Sequence, residues 1–175
     1  MVTAVVTGPG DVWNRSRIMA AAAFIALAAA LPYVPLHAQP FVSDDYLQIL
    51  LGRQYGPWDQ WPALAADPLY RCRATSIVLT HWTERLGGVS PLVFYSTGVA
   101  LHVLNSLLLF VVVRALRFSL PMAAATAAFF GVYQGHQEAV MWYAALPELL
   151  LFLFSLVFVW FWARWLSSPG RAPLD

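Results

Sequence analysis

Two adjacent carboxylates, Asp44 and Asp45, stand eight residues after a long uncharged run and are the most chemically suggestive pair in the chain. An ionised, partly desolvated carboxylate at a membrane surface can serve as general base toward a hydroxyl. On a helix, consecutive side chains point about 100° apart, so the two cannot converge as a shared-proton dyad. One acts and the other orients or caps. The alternative is purely structural, because Ser43, Asp44 and Asp45 are also the residue types that start helices. Further on, Arg71 and Arg73 are separated by one residue and follow Tyr70. Such a pair suits bidentate capture of a phosphate or diphosphate headgroup, with simple anchoring to lipid phosphates as the alternative. A third polar group, His136, Gln137 and Glu138, follows another apolar run, and Glu148 opens the next. His and Glu are both metal-ligand types, but two ligands at this spacing make no site, so no metal or other cofactor is assigned. His102 and Asn105, at i and i+3 inside an uncharged run, read as interhelical hydrogen-bonding groups.

The elements that must position these residues are dictated by composition. Of 175 residues, 60% are apolar and 11% charged, and the mean hydropathy is +0.63. This excludes a soluble globular enzyme and a disordered chain, and the recurrent uncharged runs predict an all-α, polytopic membrane protein. All ten basic residues are Arg and the net charge is +1, which gives no footprint for nucleic acid. Cys72 is the one cysteine, so no intrachain disulfide can form.

Four transmembrane helices are expected, at 18–36, 91–113, 118–133 and 149–166, each judged against about 30 Å of hydrocarbon. The first run also has the outline of a signal peptide, but Leu36 sits where cleavage wants a small residue. Residues 1–17 and 167–175 are assigned to the cytoplasm, because Arg15, Arg17, Arg114, Arg117, Arg164 and Arg171 then flank span ends on one side. The remaining four arginines share the extracytoplasmic loop 37–90 with five of the nine carboxylates, and 134–148 forms a second such loop. A loop as long as 37–90 should contain short amphipathic helices, one beginning near Ser43 to Asp45 and another at about Thr75 to Leu86. Tyr55, Trp58 and Trp61 fit headgroup depth.

The order of these segments resembles a known family. The relevant segments are Phe41-Val-Ser-Asp44-Asp45-Tyr-Leu-Gln-Ile49, Tyr70-Arg71, Gly88-Val-Ser-Pro91, Leu101-His102-Val-Leu-Asn105, Gly135-His136-Gln-Glu138-Ala-Val140-Met-Trp142 and Glu148-Leu-Leu150. Together they are similar to the N-terminal membrane part of the GT-C class of polyprenyl-phosphate-dependent glycosyltransferases. Bacterial relatives of the tetratricopeptide-containing transmembrane O-mannosyltransferases are the nearest resemblance. Cys72 stands where that family has Pro after the Arg, and Tyr133 with Gln134 replaces its first His-Pro. The resemblance implies a partial GT-C fold in the cytoplasmic membrane with its active face extracytoplasmic. It implies transfer of a sugar from a polyprenyl-phosphate donor to an acceptor hydroxyl, with inversion. Asp44 would be the base and Asp45 its orienting neighbour. Arg71, with Tyr70 and Arg73, would lie near the leaving phosphate, while His136, Gln137, Glu138 and Glu148 would contribute to the donor or acceptor site. The family's members have more than four spans, so a downstream chain completing the fold is an expected partner beside the lipid bilayer. Two alternatives remain open, an inactive four-helix fragment or interaction subunit and a small transporter-like bundle.

Overall fold

The computed structural model describes residues 15–167, and of His37 only the backbone. The predicted cytoplasmic segment before Arg15 and the tail after Ser167, with Arg171, lie outside the described residues. Those residues form eight α-helices joined by short 3-10 turns, with no strand among them. Helix α1, Arg15–Ala30, is Ala-rich and passes directly into a 3-10 segment, Leu31–Ala38. The switch comes where Pro32 and Pro35 remove backbone donors that an α-helix needs. Three short helices follow, α2 Asp45–Tyr55, α3 Trp61–Ala66 and α4 Ala74–Gly87. Then come α5 Pro91–Ala115, α6 Leu120–Val132, the single turn α7 Gln137–Met141 and α8 Leu146–Leu166. The two short helices expected between the first spans thus exist as α2 and α4.

The apolar helices make one bundle. α5 is its centre, with α1 and α6 packed on it and on each other, and with α8 also against α5. Ile25, Phe110, Ala123 and Ala127 form the core between α1, α5 and α6. Small residues let these backbones approach, as membrane helices require when apolar burial drives little association. At Gly131 of α6 an added Cβ would lie 3.0 Å from the Ala29 Cβ of α1.

The second layer is the pair α2 and α4, which run parallel. Gln48 Nε2 donates to Thr80 Oγ1 at 3.1 Å and to Ser76 Oγ at 3.4 Å, and further along Arg53 pairs with Glu84 at 2.9 Å. Glycine permits the close contact, since a Cβ on Gly52 would meet Thr80 Cγ2 at 2.8 Å and one on Gly56 would meet the His81 Cβ at 2.2 Å. The layer joins the bundle through a second core of Tyr33, Leu36, Ile49, Phe94, Tyr95, Val99, Val140 and Tyr143.

Three helices are long and apolar enough to cross a membrane, Arg15–Leu36, Pro91–Ala115 and Tyr143–Leu166. The chain is therefore a multi-pass membrane protein. The run expected as the third of four spans, 118–133, contains a helix of only 13 residues, Leu120–Val132. That is about 20 Å at 1.5 Å per residue, short of a full crossing. Ser119 caps the start by accepting from the Met122 amide, and at the end Tyr133 is already extended.

Candidate active site

Asp45 and its neighbour divide sharply. Asp45 is fully buried, with Oδ2 accepting from the Val42 amide at 3.1 Å and the Tyr95 hydroxyl at 3.0 Å, and Oδ1 accepting from the Ala144 amide at 3.0 Å. One carboxylate thus ties the start of α2 to α5 and to the turn that opens α8. The Tyr95 hydroxyl also lies 2.8 Å from the Pro40 carbonyl, and a separate pair is made by the Tyr143 hydroxyl, 3.2 Å from Thr80 Oγ1. Asp44, by contrast, is exposed, and as the residue preceding α2 it makes no side-chain cap bond. Its one side-chain contact given by the geometry is a long bond from Ser43 Oγ, 3.4 Å. Ser43 itself has φ of +44°, a left-handed conformation that a non-glycine residue adopts at some cost. The bond from the Val42 amide to Asp45 spans that turn and holds it, leaving Asp44 presented to solvent at the N-terminal end of a helix.

Arg71 and Arg73 form the 3-10 turn that leads into α4, and both are exposed. Because α2 and α4 are parallel and Gln48 pairs with Ser76, their N-terminal ends fall together. The acidic and the basic candidates therefore share one end of the two-helix layer. Sequence reasoning missed what fixes the arginine turn. Asp67 Oδ1 accepts from the amides of Leu69 at 2.8 Å and Tyr70 at 3.0 Å, while Oδ2 accepts from the Tyr55 hydroxyl at 2.8 Å. The signal was present as an Asp-Pro turn initiator, Asp67-Pro68. Tyr55 is thus engaged in this turn, whereas Trp58 stays exposed beside Trp61, their rings 4.4 Å apart.

The Tyr55 hydroxyl, and then the Leu69 amide, hold the Asp67 carboxyl below the usual carboxylate value. A depressed carboxylate stabilises the fold above its unfolded value and loses that contribution as pH falls through the folded one, here below about pH 4. The Leu69 and Tyr70 amides are expected to lose hydrogen-exchange protection, relative to those of α4, in that range. Asp67→Ala should remove their protection at neutral pH as well. Unchanged protection in the variant would show that Asp67 does not hold the turn.

Beside the arginine turn lies an apolar groove of about 970 Å³. Its walls come from α3, α4 and α8, with Leu64, Leu79, Trp82, Leu150 and Phe154 among them, and Arg71 and Cys72 stand in the same lining. No sequence signal marked it, because its walls come from three separated segments.

The third polar group lies elsewhere. His136 is half-buried, stacked on Phe130 with ring centroids 4.4 Å apart and 5.0 Å from the His102 ring. Gln137 donates to Met141 Sδ at 2.9 Å, and Glu138 is exposed in the turn of α7. Glu148 is exposed in the first turn of α8. His102 and Asn105 bond across helices, to the carbonyls of Gly131 at 3.0 Å and Leu149 at 2.9 Å. Among the described residues no three His, Cys, Asp or Glu side chains gather to hold a metal ion. No protein family, curated protein or solved structure matches the chain.

Proposed function

We propose that this chain is an integral membrane glycosyltransferase unit that moves a sugar from a polyprenyl-phosphate donor to an acceptor hydroxyl on the extracytoplasmic side. The observation that carries the reading is the groove with Arg71 in its lining. A polyprenyl phosphate is a long apolar chain ending in an anion, and an apolar trough next to a guanidinium matches both ends of it. Asp44, exposed at the same end of the layer, supplies a base for the acceptor hydroxyl. Lipid phosphate is a good leaving group, so a base and a charge clamp suffice. In this reading the arginine-bearing span ends face the cytoplasm, α6 and the irregular segment after it together make a fourth crossing, and the bundle is part of a GT-C fold completed by further spans.

The alternative is an inactive bundle or interaction subunit, and binding separates the two. Purified protein in detergent should bind polyprenyl phosphate, followed by native mass spectrometry, and Arg71→Ala should weaken binding about tenfold or more, the worth of a charge-assisted hydrogen bond. Equal binding by the variant, or binding that a neutral polyprenol matches, would overturn the assignment of the groove.

A further inference from the structure

Helix α6 stops short of the depth its neighbours span. Its end is fixed by two helices, because the Gly131 carbonyl lies 3.0 Å from His102 Nε2 of α5 and the Gly131 backbone lies against Ala29 of α1. On α5, His102 comes about 10 Å after Tyr95 at 1.5 Å per residue, and Tyr95 is bonded to Asp45 and Pro40 of the loop layer. From Tyr95 to Arg114 the same helix runs about 28 Å, close to the thickness of the hydrocarbon core. Tyr95 therefore marks one boundary of the core and Arg114 the other. Tyr33, with its ring 5.3 Å from that of His102, likewise lies inside the first span, before its end at Leu36.

From this depth the chain climbs back without a continuous helix. Tyr133 is extended, a 3-10 turn and the single turn of α7 follow, the Val140 carbonyl faces Gly98, and the Ala144 amide reaches Asp45. Tyr133, Gln134, Gly135, Gln137 and Glu138 are all exposed along this path. Irregular backbone at hydrocarbon depth survives only where it is buried in protein or lines water, and a carboxylate there is costlier still. Exposed polar side chains at that depth call for water.

We infer that residues 133–138 line a water-filled recess above the end of α6, entering the membrane by about 10 Å from the face that bears the loop layer. α8 stands between it and the apolar groove, with Leu150 and Phe154 in the groove lining and Phe152 stacked on Phe130, 4.9 Å away. The inference holds whatever reaction the chain catalyses.

The test is thiol accessibility in lipid nanodiscs, in a Cys72→Ser background because Cys72 is exposed. Gln134→Cys and Gln137→Cys should react with a charged maleimide about tenfold faster than Phe129→Cys and Leu151→Cys, which face lipid, because only a hydrated thiol ionises. Equal rates at all four positions would overturn the recess. Hydrogen exchange on the unmodified protein gives a second reading. The amides of 134–136 should exchange much faster than those of α6, whereas protection equal to that of α6 would mean that lipid or another chain covers the segment, and would also overturn it.

Discussion

Asp44→Asn is expected to leave the protein inserted and folded while transfer of sugar from a polyprenyl-phosphate donor falls by about 10²–10⁴, the range lost with a positioned general base. The substitution keeps shape and removes basicity. Nothing structural should follow, because Asp44 is exposed and its side chain makes a single long contact, with its neighbour Ser43. Membranes from cells expressing each form would be assayed for transfer to an acceptor, with protein levels matched by immunoblot. Retained activity would remove Asp44 from the reaction. A variant that loses activity and also loses its detergent-solubilised fold would instead mean that the residue is structural.

Asp45 is expected to behave in the opposite way. Asp45→Ala leaves the Val42 and Ala144 amides without their acceptor and strips Tyr95 of one of two partners. A hydrogen bond to a charged group is worth about 1.5–3 kcal/mol and two amides lose theirs, so a loss of about 3–5 kcal/mol is expected. Asp45→Asn tests the mechanism more sharply. Its amide would turn a donor toward the donors that surround the site, so it should also destabilise despite its near-identical size. Thermal unfolding in detergent should show Tm lowered by roughly 10 °C in either variant, by the scaling for chains of this length. An Asn variant as stable as the parent would show that the carboxylate is not needed as an all-acceptor hub. Together the pair separates two residues that are adjacent in sequence, one expected to alter rate without stability and the other stability first.

This division could not be read from the sequence. Asp44-Asp45 was legible as a helix start and as a chemical pair, but which carboxylate is free depends on where Tyr95 and Ala144 arrive, 50 and 99 residues away. The same holds for the groove, to which Arg71 and Leu150 contribute from different helices. Asp67 was a turn signal in sequence, while its hold on the arginine turn needs Tyr55 brought across from α2.

Local physics was sufficient for the rest. Uncharged length alone determined that this is a helical membrane protein, since hydrocarbon forces every backbone polar group to be satisfied within its own segment. Residue types and apolar spacing likewise placed the start of α2 and both ends of α4 within a residue or two. Length did not determine α6. Apolar residues continue from Phe118 to Val132, yet the helix covers only Leu120–Val132, and its level is set by Gly131 against Ala29 and His102. Hydropathy measures how apolar a run is, whereas depth is a property of packing, and only the tertiary structure assigns it.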